Sequence, residues 1–289
     1  MIEARAYLAD CRNQTLLGQA SKILRMQNPL SGATRVYYIV GDPIAQVKSP
    51  AGVSEALQAR GHNAYVMPAH VAPAHLATWL QGVSVAQNVD GIIITVPHKF
   101  AAAPLCSTLS ERAAFLGAAN TLRRNADGTW HGDMFDGLAM VAAIAASGCQ
   151  LPDARALLIG AGGAGSAIAH ALVMAGVPSL AIHDDDAARS GALIERLASL
   201  RRCPVTQGSR EADGFALVVN ATPAGMAEAD PLPVKPGSLK PSMTVACVIT
   251  APAVTPLIAA ARAKGCNTVT GTQMFGQVRD LMLEFLLPC

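Results

Sequence analysis

The stretch Ala156-Leu157-Leu158-Ile159-Gly160-Ala161-Gly162-Gly163-Ala164-Gly165 constrains this chain more than any other. An apolar run of strand length, Ala156 to Ile159, enters a glycine-rich turn. The turn opens an alanine-rich segment, residues 166–175, that is closed by Gly176. Gly160, Gly162 and Gly165 stand at G-x-G-x-x-G spacing. In a βαβ unit with that spacing the first glycine makes the tight turn. The second admits a pyrophosphate to the backbone, and the third lets helix and strand pack closely. The pyrophosphate rests on the free amides of the helix N-terminus. A glycine-rich connector is the alternative for such a motif taken alone. The strand before it, the helix after it and the acids closing the next strand decide for a dinucleotide turn. Its candidate residues are Gly160, Gly162, Gly163, Ala164 and Gly165.

A chain of 289 residues holds one large domain or two ordinary ones. It is 51% hydrophobic and 15% charged, which supports a sizeable core and argues against disorder. Aromatics are only 4% while alanine and glycine abound, which suits closely packed α/β layers better than a β-sandwich. The formal net charge of +2 comes with no basic cluster, so neither a nucleic-acid nor a membrane partner is expected. No apolar run approaches the roughly 20 residues that span a bilayer. The seven cysteines, Cys11, Cys106, Cys149, Cys203, Cys247, Cys266 and Cys289, are scattered and never at C-x-x-C spacing. They point to a reducing cytoplasm and to small core residues, with no metal site expected.

Read in order, residues 1–35 form an extension without chemistry, in which Leu16, Leu17, Ala20, Ile23 and Leu24 mark one face of a short helix. No secretory signal is evident there. Strands are predicted at 36–40, 64–67 and 90–96, and helices at 50–60, 74–80, 101–108 and 110–116. A hairpin is predicted around Asp127-Gly128, with arms 119–123 and 129–132. This half, residues 36–136, alternates strand and helix without a phosphate-binding turn, and is assigned to the substrate. A helix over 138–147 leads into a Rossmann domain, residues 137–271. Beyond the glycine turn and its helix this domain is predicted to hold strands at 179–183, 216–220, 243–248 and 268–270, with helices at 187–199 and 256–264. Residues 273–287 form a closing helix with apolar positions Met274, Val278, Leu281, Met282, Phe285 and Leu286. The fold class is therefore α/β in two domains.

Seven stretches together resemble the shikimate/quinate dehydrogenase family, in the family's order and over nearly everything from residue 36 onward. They are Gly41-Asp42-Pro43-Ile44 with Ser49-Pro50, Thr95-Val96-Pro97-His98-Lys99, Gly117-Ala118-Ala119-Asn120-Thr121, Gly132-Asp133 with Asp136-Gly137, the glycine turn, Asn220-Ala221-Thr222-Pro223-Ala224-Gly225-Met226, and Thr255-Pro256-Leu257. The resemblance implies an oxidoreductase of the shikimate pathway type. It would interconvert a secondary alcohol and a ketone on a small cyclic polyhydroxy acid, as a monomer or homodimer, with residues 272–289 returning to the substrate domain. It also implies a lysine and an aspartate beside the reacting carbinol, matched here by Lys99 and Asp136. Such chemistry needs a side chain that takes the hydroxyl proton near neutral pH as hydride leaves carbon. A lysine drawn partly out of water can titrate toward that range. Taken alone, such a lysine is a solvated loop residue and such an aspartate a helix cap. In the substrate site the resemblance further implies Ser49, Thr95, Asn120 and Gln277. Gln273 competes with Gln277, because the spacing from Met274 is one residue short. On the cofactor side it implies Thr222 and Gly271.

The chain departs from the family at positions that bear on substrate. Val47 replaces the first carboxylate-binding serine, Ile93 an asparagine, Met134-Phe135 an Asn-Thr pair, and Cys247 and Thr250 an aspartate and a tyrosine. Sites that lose polar groups stop selecting for the hydroxyls or carboxylates those groups would bind, so a divergent subgroup is expected. The strand before Asp184-Asp185-Asp186 ends about 24 residues past Gly160, where a Rossmann fold reads the adenosine ribose. NADP-using relatives carry Asn-Arg-Thr or Asn-Arg-Ser there. Here Asp184 takes the asparagine position and Asp185 the arginine position, so NAD is the expected cofactor. A ligand-sensing protein that kept the cleft and lost turnover is the alternative from another class.

Overall fold

The computed structural model describes residues 30–227 and 229–287. The helix expected around residues 16–24 lies outside the described residues. The first half builds a six-stranded sheet from β1 (Arg35–Gly41), β2 (Ala64–His70), β3 (Val89–Ile94), β4 (Thr108–Leu109), β5 (Thr121–Arg124) and β6 (Trp130–Asp133), in the order β2-β1-β3-β5-β6-β4. β1, β2 and β3 are parallel, and α1 (Ser49–Ala59) and α2 (Leu76–Ser84) make the crossovers. β5 and β6 form the antiparallel hairpin signalled by Asp127-Gly128. The helix expected at 101–108 is shorter. α3 (Lys99–Ala102) gives way to a tight turn at Ala103–Leu105, where Pro104 offers no amide to continue it, and Thr108 joins the short strand β4. α4 (Glu111–Leu116) follows, capped by Ser110 and ended by Gly117 in the left-handed conformation.

The second sheet is all parallel and runs β12-β11-β10-β7-β8-β9, from β7 (Ala156–Ile159), β8 (Leu180–His183), β9 (Val205–Gln207), β10 (Leu217–Asn220), β11 (Thr244–Cys247) and β12 (Asn267–Val269). β7, β10 and β11 are buried at all four positions, as expected of central strands covered by helices on both faces. The chain runs outward from β7 through β8 to β9, then returns to β10 on the other side. That reversal is the topological switch point at which open α/β sheets bind ligands. The covering helices are α5 (Asp136–Ala146), α6 (Gly163–Met174), α7 (Ala187–Ala198) and α8 (Pro256–Ala263). β9 escapes the sequence pattern because it is a three-residue edge strand with two exposed positions.

The last helix, α9 (Gly271–Leu286), starts in a capping box between Thr270 and Gln273. It returns to the first sheet, where Arg123 donates to the Phe285 carbonyl at 3.1 Å and lays its guanidinium 4.8 Å over the Phe285 ring. One apolar cluster joins the two halves. It runs from Tyr37, Ile39 and Leu57, through Met140 and Ile144 of α5 and Met282 and Leu283 of α9, to Leu158, Ile168 and Leu172. Each fully buried side chain of this size stabilises the fold by about 2 kcal/mol. Among the described residues no helix is long and apolar enough to cross a membrane.

Candidate active site

Lys99 and Asp136 are each placed by a helix start. Lys99 opens α3 directly after Thr95-Val96-Pro97-His98, and Asp136 opens α5 after Met134 and Phe135, which follow β6. Lys99 Nζ donates to Asp136 Oδ2 at 2.5 Å, with side-chain exposures of 12% and 8%. The other carboxylate oxygen, Oδ1, accepts from Asn120 Nδ2 at 2.8 Å. Asn120 is itself buried, and its Oδ1 accepts from the Phe135 amide at 3.1 Å and the Thr121 hydroxyl at 3.0 Å. Its backbone is clamped as well. The Asn120 carbonyl accepts from the Ile94 amide at 2.7 Å, and the Asn120 amide donates to Asp133 O at 2.9 Å. The Ala119 amide donates to Lys99 O at 2.9 Å, which fixes the start of α3 against the same segment. Two elements distant in sequence thus hold one carboxylate from both sides.

The glycine turn lies against this pair. Gly160 has φ of +102°, and a Cβ on Gly165 would stand 1.9 Å from the Gly160 carbonyl, so neither position takes a side chain. A Cβ on Gly163 would stand 3.1 Å from both Cβ and Cδ of Lys99, so the lysine stem packs on the first residue of α6. Before Gly162 the space is open, with nothing within 4 Å of its Cβ position. The first-turn amides of α6, those of Gly163, Ala164 and Gly165, have no partner within the helix and face an anion best. The turn therefore fits a pyrophosphate. Across the switch point, Asn220 Oδ1 accepts from both the amide and the hydroxyl of Thr222, at 3.0 and 2.7 Å, which shapes the loop after β10. Gly271 is buried at the start of α9.

At the outer end, the three acids part company. Asp184 is nine-tenths buried. Its Oδ2 accepts from the Ala161 amide at 2.6 Å and its Oδ1 from the Asp186 amide at 2.9 Å, so it braces the glycine turn. Asp186 caps α7 by accepting from the Arg189 amide at 3.0 Å. Asp185 is 78% exposed, and one guanidinium nitrogen of Arg210, Nη2, donates to both its oxygens, at 2.9 and 3.0 Å. Arg189 reaches Asp184 at 3.4 Å and Asp186 at 3.2 Å. Neither arginine stood out in the sequence. Arg189 lies inside the helix predicted at 187–199, and Arg210 follows the strand that the pattern did not reveal.

Among the remaining candidates, Ser49 is buried at the first position of α1, and Thr95 is half-buried just past the end of β3. The two glutamines separate cleanly. Gln273 spends its Oε1 on the Thr270 amide and hydroxyl, at 2.8 and 3.0 Å, while Gln277 is exposed one turn further on. Of the departures from the family pattern, Ile93, Met134, Phe135 and Cys247 are core residues, whereas Val47 and Thr250 are half-buried. Phe135 lies 5.3 Å from Phe285, edge to face, with the Arg112 guanidinium 5.0 Å from its ring. Among the described residues no group of three or more His, Cys, Asp or Glu converges as a metal site.

A parallel sheet in the 3-2-1-4-5-6 order, a glycine turn at its switch point, and a buried Lys–Asp pair packed on that turn define a two-domain, dinucleotide-binding α/β protein. Residues 39–122 match the family model described as shikimate dehydrogenase substrate binding domain. The shikimate dehydrogenase (NADP(+)) of Rhodospirillum rubrum is 35% identical over 85% of this chain and 89% of its own length. Of the solved structures, quinate dehydrogenase from Corynebacterium glutamicum in complex with NAD is 28% identical, with a TM-score of 0.78 over 89% of this chain and 94% of that one. The ligand-free 5-ketofructose reductase of a Gluconobacter species is 25% identical, with a TM-score of 0.80 over 90% and 95%. The chain belongs to the shikimate/quinate dehydrogenase family.

Proposed function

We propose that this protein interconverts a secondary alcohol and its ketone on a small cyclic polyhydroxy acid of the shikimate/quinate class, with NAD as hydride carrier and Lys99 and Asp136 as the acid/base pair. The observation that carries the proposal is the 2.5 Å contact between Lys99 Nζ and Asp136 Oδ2, largely buried and with the lysine stem on Gly163 of the dinucleotide turn. When bound, the nicotinamide accepts or returns the hydride. The pair handles the proton. In oxidation the carbinol hydroxyl gives its proton to the Lys99–Asp136 pair as the hydride departs, and in reduction the pair returns it. Asn120 holds the second oxygen of Asp136, so the carboxylate keeps its orientation through the cycle. Ser49, Thr95, Asn120 and Gln277 are assigned to the hydroxyl and carboxylate groups of the substrate.

The pyrophosphate is assigned to the amides of Gly163, Ala164 and Gly165, and the adenosine ribose to the corner of Asp184 and Asp185. A carboxylate there accepts from ribose hydroxyls and repels a 2′-phosphate. Several relatives are named for NADP(+), but the arginine of the NADP-using pattern is an aspartate here. The test is a screen of cyclic polyols and hydroxy acids, including shikimate and quinate, with NAD and with NADP, read by reduced-nicotinamide absorbance. Turnover is expected with at least one member, and kcat/KM is expected to favour NAD by about a hundredfold or more, each tenfold being about 1.4 kcal/mol. No turnover across the screen would overturn the activity. Equal kcat/KM with the two cofactors would overturn the choice of NAD.

A further inference from the structure

The nucleotide corner holds a cation that the family's NADP pattern does not predict. β8 and β9 are parallel neighbours, so their C-terminal ends open on the same edge of the sheet. Asp185 lies just past the first of these ends and Arg210 just past the second. The arginine forms two hydrogen bonds to the aspartate, with Nη2 2.9 Å from Oδ1 and 3.0 Å from Oδ2. A guanidinium N–H donates to carboxylate and phosphate oxygens alike. The adenosine ribose of a Rossmann-bound dinucleotide sits at the end of the second strand, here β8. Asp185 therefore occupies the place in which Arg210 would meet a phosphate on that ribose.

We propose that Arg210 is a ready-made reader of a ribose 2′-phosphate, kept off that task by Asp185, which stands in for the phosphate within the chain. The inference rests on the dinucleotide reading of the cleft but not on the preference for NAD. Three observations support it. The pair is open to solvent, with side-chain exposures of 78% for Asp185 and 40% for Arg210, and exposed pairs of this kind hold weakly. Arg210 is anchored through its backbone, whose carbonyl accepts from the Lys235 amide at 2.8 Å, so its Cα stays at the corner when the side chain lets go. The other arginine, Arg189, is tied to two carboxylates, and one of these, Asp184, is committed to the glycine turn. One substitution should thus convert the corner, with no arginine introduced.

The test compares binding of 2′,5′-ADP and 5′-AMP by calorimetry, a readout independent of turnover that isolates the 2′-phosphate. Asp185→Ser should tighten 2′,5′-ADP by at least about tenfold, as a hydrogen-bonded charge pair is gained and a like charge lost. Binding of 5′-AMP should change by less than about threefold. Adding Arg210→Ala to Asp185→Ser should abolish the gain, Arg210→Lys should keep part of it, and Arg189→Ala should leave it in place. The inference is overturned if Asp185→Ser leaves 2′,5′-ADP binding unchanged, or if the gain survives Arg210→Ala. Preference for NAD is read from wild-type kcat/KM alone, so its failure is seen separately. Both residues are exposed, and unchanged melting temperatures will show that the variants fold.

Discussion

Asp136 receives two hydrogen bonds, one from the lysine that would exchange the proton and one from an asparagine that carries no charge. The asymmetry matters. The contact with Lys99 sets the chemistry, while Asn120 fixes which oxygen is left for it. Asn120 was expected from the resemblance to meet substrate hydroxyls. Its amide is also engaged with Asp136, Phe135 and Thr121, and this partnership was not legible because sequence spacing does not say where a buried amide turns. The glutamines of α9 show the reverse, a choice left open by the sequence and narrowed by a cap. Gln273 closes the capping box, so Gln273→Ala should cost about 1 kcal/mol of stability and leave KM unchanged. Gln277→Ala should raise KM for the substrate with little loss of melting temperature. Steady-state kinetics and thermal melts of the two variants check this directly, and a KM effect confined to Gln273→Ala would reverse the assignment.

At the scale of elements, the glycine turn was the most legible part of the chain, because a strand, three spaced glycines and a helix leave few alternatives. Its two outer glycines differ physically from the middle one. A methyl on Gly165 would meet the Gly160 carbonyl at 1.9 Å, so Gly165→Ala should lower stability by about 1–3 kcal/mol and disturb the turn. A methyl on Gly162 meets open space, so Gly162→Ala should melt like the wild type while binding NAD at least about tenfold more weakly, because the methyl occupies the approach of the pyrophosphate. Denaturation and dinucleotide titration of both variants separate the two cases, and unweakened NAD binding by Gly162→Ala would remove the pyrophosphate from this position. Less legible were the short elements. β4 has two residues and β9 three, too few for a periodic signal, and both owe their existence to a neighbouring strand. Missing β9 concealed Arg210, because only the pairing of β9 with β8 brings that arginine to the acids.

At the scale of the whole molecule, function depends on two sheets meeting along α5, α6 and α9. Their common apolar cluster holds the substrate half against the dinucleotide half, and the Lys99 stem touches Gly163 where the two meet. The positions of the parallel strands of the second sheet other than β9 were readable, since buried parallel strands are continuous apolar runs. The departures from the family were readable as substitutions but not as places. Ile93, Met134, Phe135 and Cys247 turned out to be core, which leaves Val47 and Thr250 as the partly exposed changes. The account's central claim is that the Lys99–Asp136 pair performs the proton transfer beside the dinucleotide turn without itself holding the dinucleotide. The direct measurement is turnover and NAD affinity of Lys99→Ala, with Asp136→Asn as a second variant because removing one member of a buried pair strands the other charge. The account predicts a loss of about 10²–10⁴-fold in kcat with NAD affinity within about threefold of wild type. Retention of more than about a tenth of the wild-type rate by Lys99→Ala would contradict it.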